Sequence, residues 1–294
     1  MLTDIIDVLA DPTDGSSLRI ADDGTRIVSD TGHSYDIARQ GYVTLAGGEG
    51  LRYSGDDAAM IASRETFLSQ GHFAQFVEAM TANVHTALDS RESTNDDDDF
   101  DAPVTLCEIG AGTGYYLAHS LDDIMGSRGV GIDISVPAAK RLAQSHPRVG
   151  AVVADAWSRL PIADNSVDVV TVVFAPRNAQ EFARILKPGG QVVVLTADTG
   201  HLGELREPLG IIDVEKGKVE RMIQQASGFL TPVGEQENVE FTMSLDQASI
   251  AAQIGMSPSA RHIHPEVLQE RIAALPAHMD VTARACITRF EVVS

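Results

Sequence analysis

From Val104 onward, short apolar runs alternate with amphipathic stretches in a rhythm of strand and helix. VTLCEIG, GVGIDIS, VGAVVADA and SVDVVTVVFA read as four buried strands, because near-continuous Val, Ile and Leu leave no face for water. Helical spacing follows the first strand from about Thr113 to Leu121, and the second from about Pro137 to His146. AQEFARIL supplies another helix, KPGG a turn, and QVVVLTA a fifth strand. Such alternation predicts an α/β fold whose mostly parallel sheet is covered by helices on both faces. After about residue 200 the periodicity blurs through a helical region, and NVEFTMSL and VTARACITRFEVV close the chain as an antiparallel pair at one edge. Five parallel strands and this pair make a seven-stranded sheet.

The chain before Val104 follows other periods. Residues 1 to 46 carry short alternating pieces, SLRI, TRIV and YVTL, among Asp, Gly, Ser and Thr. They predict a small β-rich module, with Asp23-Gly24 turning between two strands. Residues 56 to 90 switch to helical spacing, with Met60, Ile61, Phe67, Leu68, Phe73, Phe76, Val77 and Met80 on repeating faces. That apolar surface suits either the core or a homodimer contact. RESTNDDDDFDAP then reads as a solvated acidic linker closed by Pro103, since like charges packed this closely stay hydrated. The expected organisation is a module over 1–46, a helical segment and linker over 47–102, and an α/β domain over 103–294.

Composition narrows the class. Hydrophobic residues make up 44% of the 294 positions, and no run of eighteen apolar residues is present, which argues against a membrane span. The start, MLTDIIDVLADPTD, is acidic where a signal peptide needs positive charge. Cys107 and Cys286 lie in apolar strand-like runs and read as buried thiols, so the expected compartment is the cytoplasm. The formal charge of −20 with no Lys/Arg run repels nucleic acid at long range.

LCEIGAGTGYY, Leu106 to Tyr116, carries the candidate chemistry. Alternate glycines after a buried strand let a ligand approach the backbone, and two ligand classes use such turns. A dinucleotide fingerprint needs G-x-G-x-x-G, but Tyr115 occupies the place of its third glycine. Glu108 would also repel a diphosphate, whereas it suits the sulfonium and ammonium of S-adenosylmethionine. Asp133, nineteen residues past Gly114, ends the second strand where an acid accepts ribose hydroxyls in either ligand class. Asp155 follows the third strand and suits the adenine exocyclic amine. All of these lie at carboxyl ends of strands, where open α/β sheets bind ligands.

The combination E-x-G-x-G-x-G, then Asp133, then Asp155, then LP followed by D-x-V-D, with KPGG before the fifth strand, resembles the class I S-adenosylmethionine-dependent methyltransferases and their Rossmann-like fold. HSYDIARQGYVTL, GDDAAMIASRETFLSQGHF, IGAGTGYY, FAPRNAQEFARILKPGG and HLGEL further resemble the 23S ribosomal RNA guanine-N1 methyltransferases, in consistent order from about residue 10 to 210. The resemblance implies that Gly110, Gly112 and Gly114 form the cofactor loop, flanked by Tyr115 and Tyr116. It further implies that Asp133 takes the ribose, and that Phe73 and His201 lie against the cofactor. The implied partner is a guanine in a hairpin loop of 23S rRNA.

One part of that pattern is missing. The family places a C-x-x-C pair, a cysteine and a histidine around a zinc ion, and those positions here read Asp11, Asp14, Ser29 and His33. Structural zinc wants thiolates and imidazoles, so no zinc is expected. The module should instead rest on Leu18, Ile20, Ile27, Val28, Tyr35, Tyr42 and Val43, with a hydrogen bond from Asp11 or Asp14 to His33 in place of one metal arm. Residues 1 to 46 hold eight acids against Arg19, Arg26 and Arg39. RNA recognition would therefore draw on shape and stacking, with Arg39, Arg52, Arg64 and Arg177 as candidate contacts.

For the acceptor, the loop Phe174-Ala175-Pro176-Arg177-Asn178 follows the fourth strand. Phe174 is expected to stack on the base, carbonyls near Ala175 and Pro176 to orient N1, and Arg177 or Asn178 to stabilise O6. Asn178 also suits the cap of the next helix. The expected function is N1 methylation of a guanine in a 23S rRNA hairpin loop. The alternatives are a methyltransferase acting on a small molecule and a non-catalytic cofactor-binding protein. A positive cleft beside the sheet favours RNA, a negative one a small substrate, and a blocked acceptor pocket the third reading.

Overall fold

The computed structural model describes residues 1–48, 50–51, 53–92, 103–211, 217–257 and 263–293. Most of the expected acidic linker, residues 93–102, and Arg52 lie outside them. The chain opens with α1 (Leu2–Ile5), followed by β1 (Leu18–Ile20), β2 (Arg26–Ser29), β3 (Ser34–Asp36) and β4 (Tyr42–Thr44). Two helices come next, α2 (Ala58–Ser69) and α3 (Ala74–Glu92). The alternating part runs β5 (Thr105–Ile109), α4 (Tyr115–Asp123), β6 (Arg128–Asp133), α5 (Val136–Leu142), β7 (Val149–Val153), β8 (Val167–Val173), α6 (Ala179–Ile185) and β9 (Leu186–Ala197). The last part holds α7 (Arg206–Leu209), α8 (Lys218–Ala226), β10 (Leu230–Asp246), α9 (Gln247–Gly255), α10 (Pro265–Ala273) and β11 (His278–Val292).

The main sheet has eight strands in the order β10-β11-β9-β8-β5-β6-β7-β4, one more than the sequence predicts. The addition is β4, expected within the N-terminal module but paired parallel to β7 through Tyr42–Ala151, Val43–Val152 and Thr44–Val153. Without it β7, whose residues are all buried, would end the sheet with unpaired backbone groups. The rest of the module forms a separate antiparallel sheet, β1-β2-β3, with Gly24 at φ 68° in the expected turn. Helix α1 packs directly on β7. A Cβ on Gly150 would stand 2.3 Å from Ile5 Cδ1, so the bare backbone there makes room for it.

Apolar side chains fill both faces of the sheet. One core joins Phe67, Phe76, Met80, Leu106, Leu117 and Val169, and the other joins Ile5, Ile27, Cys107, Ile109, Val170 and Phe182. Met60, Ile61, Phe67, Leu68, Phe73, Phe76, Val77 and Met80 are all buried within one chain, so the apolar face considered for a second copy is spent on the core. Cys107 and Cys286 are buried free thiols. KPGG is a bulge inside β9 rather than a turn before it: pairing with β8 passes from Val167–Leu186 to Val169–Gln191, and Gly189 has φ 75°. Helix α4 starts later than the spacing suggests because Gly112 and Gly114 take left-handed conformations, which a helix does not tolerate. No helix among the described residues is long and apolar enough to cross a membrane.

A charge network pins α3 to the amino end of the sheet. Buried Asp168 on β8 accepts a 2.8 Å hydrogen bond from the Thr105 backbone, and pairs with Lys187 at 3.1 Å and with Arg91. Thus the first residue of the expected linker is instead the last turn of a helix.

In the module, Asp11, Ser29 and His33, which the resemblance aligns with zinc ligands, take part in a hydrogen-bonded clasp. Asp11, fully buried, accepts from Thr13 N at 2.8 Å and from the Tyr35 hydroxyl at 3.0 Å, and lies 3.0 Å from His33 Nδ1. Burial works against its charge, yet these bonds hold the carboxyl below its ordinary value. Ser29 Oγ accepts from His33 N at 2.9 Å. Ligand atoms of Asp11, Asp14 and His33 lie within 4.8 Å of one another, but one imidazole with two carboxylates is a poor fit for structural zinc. Asp11→Ala should therefore lower stability by about 1–3 kcal/mol, because it removes the buried acceptor shared by Thr13 N and the Tyr35 hydroxyl. Denaturant unfolding measures this, and a chelator should leave the wild-type midpoint where it is. A chelator-induced fall would count against the metal-free clasp.

Candidate active site

The glycine loop leaves β5 at the carboxyl edge of the sheet. Gly110, Gly112 and Gly114 have φ of 69°, 56° and 81°. Backbone amides of Gly110 and Ala111 donate to Ile132 O at 2.8 and 3.0 Å, and Gly112 N donates to Asp133 Oδ2 at 2.8 Å. Each glycine has its own reason. A Cβ on Gly110 would stand 2.4 Å from Ala175 Cβ, and one on Gly114 would stand 2.5 Å from Ser145 Oγ in the turn after α5. The Gly112 position faces Arg64 Nη1 at 3.2 Å. The loop therefore lies between the end of β6, the loop after β8 and helix α2.

Three acids border it. Glu108 is 1% exposed, and its Oε2 accepts from Leu117 N at 3.0 Å in the first turn of α4. Burial pushes its carboxyl up to about 8, and the nearby Asp133 adds to the rise. Asp133 accepts from Ser135 N and Gly112 N, both at 2.8 Å, and burial raises it too. Asp155 is buried after β7 and accepts from Trp157 N at 2.9 Å. Tyr115 and Tyr116 open α4 with their rings at 90°. The Tyr116 hydroxyl is buried with no hydrogen-bond partner among the described residues. Two buried carboxylates raised by burial, an orphaned hydroxyl and a bare-backbone loop fit S-adenosylmethionine. A sulfonium and an ammonium would stabilise the ionised carboxylates, and the ribose would replace lost polar contacts.

Aromatic rings gather beside this loop. Phe73 in the turn before α3, Phe76 on α3, Phe174 after β8 and His201 after β9 have centroids 5.1 to 6.3 Å apart. Phe241 on β10 lies 4.8 Å from Phe76. Phe174 has φ 51°, a conformation that costs a bulky residue about 1–3 kcal/mol. Strand alternation explains the use of that strain. Val172 faces one core and Val173 the other, so Phe174 would return to the side of Val172. The left-handed turn instead aims its ring at Phe73 and Phe76, and leaves it 39% exposed.

His201 is held neutral. Burial pushes its imidazole down to about 4, and Nδ1 accepts from Arg284 N at 3.0 Å, which assigns the ring proton to Nε2. Asn178 caps α6 by accepting from Glu181 N at 3.4 Å, and its Nδ2 donates to Ala156 O at 3.2 Å. Arg177 turns to the opposite face of the sheet, lining a cavity with Phe182, Val194, Met222 and Phe290, and its Nε is buried without a partner among the described residues. The structure thus gathers Phe73, Phe174 and His201, but leaves Arg177 and Asn178 outside that group. Sequence reasoning missed Phe76 and Phe241. The three-residue spacing from Phe73 signalled Phe76, whereas nothing local marked Phe241.

Residues 107–194 match the methyltransferase-domain family. A protein of Micromonospora griseorubida, provisionally named a 23S rRNA (guanine-N(1)-)-methyltransferase, is 40% identical over 88% of each chain. The 23S rRNA (guanine(748)-N(1))-methyltransferase of Streptomyces fradiae is 35% identical over 98% of each. A solved S-adenosylmethionine-dependent methyltransferase from Thiobacillus denitrificans, in complex with S-adenosyl-L-homocysteine, is 17% identical, covering 73% of this chain and 91% of its own at a TM-score of 0.44.

The raised Glu108 carboxyl has a testable consequence. Its ordinary value is 4.5 and its folded value about 8, so between them the folded chain holds a proton that the unfolded chain has released. Stability from this group therefore falls as pH rises through that window. Glu108→Gln keeps an acceptor for Leu117 N and removes the dependence. Thermal unfolding of the ligand-free proteins should show the variant gaining on wild type from about pH 5 to about pH 8. Parallel profiles would contradict the raised value.

Proposed function

The chain belongs to the 23S rRNA guanine-N1 methyltransferase family, and from that premise we propose that it methylates N1 of a guanine in a 23S rRNA hairpin loop. The observation that carries this reading is the ring cluster of Phe73, Phe76, Phe174 and His201 beside the glycine loop, with Phe174 strained into it. S-adenosylmethionine, when bound, supplies a methyl group activated by its sulfonium.

The chain's own residues position the rest. Glu108 and Asp133 supply negative potential for the cofactor's cations and acceptors for its hydroxyls. Phe174 stacks on a guanine taken out of its loop and holds N1 towards the methyl group. The N1 proton leaves to solvent water, and the charge this moves onto O6 is met by a hydrogen bond from the Nε2–H of neutral His201. This role passes to His201 because Asn178 is engaged as a helix cap and Arg177 lies across the sheet. With a net charge of −20, phosphate neutralisation contributes little, so stacking and loop shape carry the selection.

Two measurements test the reading. Primer extension along 23S rRNA from a gene-deleted strain should lack a stop that the parent and the complemented strain show, because N1 methylation blocks Watson–Crick pairing. In vitro, Phe174→Ala should lower methylation of a hairpin transcript by about 10- to 100-fold, with S-adenosyl-L-homocysteine affinity nearly unchanged. An identical stop pattern with and without the gene would sink the proposal.

A further inference from the structure

Arg64 sits in the middle of α2, between the buried pairs Met60–Ile61 and Phe67–Leu68, and its guanidinium reaches the glycine loop. Nη1 lies 3.2 Å from where a Cβ on Gly112 would stand. Nη2 pairs with Asp56 at 2.7 Å and donates to Met256 O at 3.1 Å. Its charge reaches the site on both sides, opposing the burial that raises Asp133 and Tyr116.

This arginine is not a loose surface charge, since its side chain is 25% exposed. The chain before α2 is clamped to the loop after β6: a Cβ on Gly55 would stand 2.6 Å from Ser135 Cβ, and Ser135 Oγ donates to Asp56 O at 2.6 Å. On the other side α2 meets the end of α9, where a Cβ on Gly255 would stand 2.6 Å from Ser63 Oγ. Both packings hold the Arg64 backbone in place over the loop.

The cofactor's amino-acid tail carries an ammonium and a carboxylate. Glu108, Asp133 and Asp56 suit the ammonium and repel the carboxylate. A carboxylate brought into this acidic pocket needs a cation at the loop, and its planar fork matches a guanidinium. Arg64 has five N–H donors, more than Asp56 and Met256 use. We propose that Arg64 binds the α-carboxylate of the methionyl part of S-adenosylmethionine, bridging α2 to the cofactor loop. The proposal rests on the cofactor reading above and needs nothing from the RNA reading.

Calorimetry with S-adenosylmethionine and its decarboxylated analogue, which keeps the sulfonium and ammonium, tests it. Wild type should bind the full cofactor about 10- to 100-fold more tightly than the analogue. Arg64→Gln should lose that factor for the full cofactor and change analogue affinity by less than about twofold. Wild type that does not discriminate between the two ligands overturns the proposal without any variant. Equal weakening of both ligands in Arg64→Gln also overturns it, because the arginine would then serve only to hold α2. Binding of neither ligand by folded wild type would instead remove the cofactor reading on which the proposal rests.

Discussion

At Gly110 there is no room for a side chain: a methyl group would stand 2.4 Å from Ala175 Cβ. The loop leaving β5 and the loop leaving β8 therefore meet backbone against side chain at the carboxyl edge of the sheet. Much of the candidate chemistry hangs on that contact. It sets the glycine loop beside Phe174, and Gly112 N in turn reaches Asp133 on β6. Neighbouring strands of a parallel sheet place their ends side by side, so one close approach brings the candidate cofactor loop and the candidate acceptor loop together.

Around this contact the chain spends unfavourable states. Glu108 is a carboxylate buried in an apolar sheet, and Phe174 holds a backbone conformation that large side chains avoid. Both lie at the carboxyl edge, where strained or desolvated groups cluster at sites that await a ligand. Elsewhere the molecule satisfies its buried acids. Asp168 is matched by Arg91, Lys187 and the Thr105 amide, and Asp11 by Thr13, Tyr35 and His33.

The N-terminal residues contribute in two ways. Ile5 and β4 extend the sheet and cover β7, so they belong to the main body by packing as well as by sequence order. The clasp at Asp11 ties the module together with hydrogen bonds among half-buried and buried groups. Each such bond contributes modestly, and the module's small size makes its apolar contacts with the sheet the larger support.

Sequence alone determined the β-α alternation, the antiparallel pair at the sheet edge, the glycine loop and the acids at strand ends, because each is a local signal of period, spacing or turn chemistry. The aspartate-histidine bond in the module was legible only through the family resemblance, which aligns Asp11, Asp14 and His33 with metal-ligand positions. Tertiary structure decided the rest. The eighth strand is a three-residue piece whose partner, β7, lies about a hundred residues away, and so short a run carries no pairing preference of its own. Phe174 and Arg177 stand three residues apart but serve opposite faces, because the handedness of one backbone turn sets where each points. Arg64 reads in the sequence as a candidate RNA contact, and only the packing of α2 against Ser135 and α9 brings its guanidinium to Gly112. Such placements depend on where distant segments pack, which local composition does not encode.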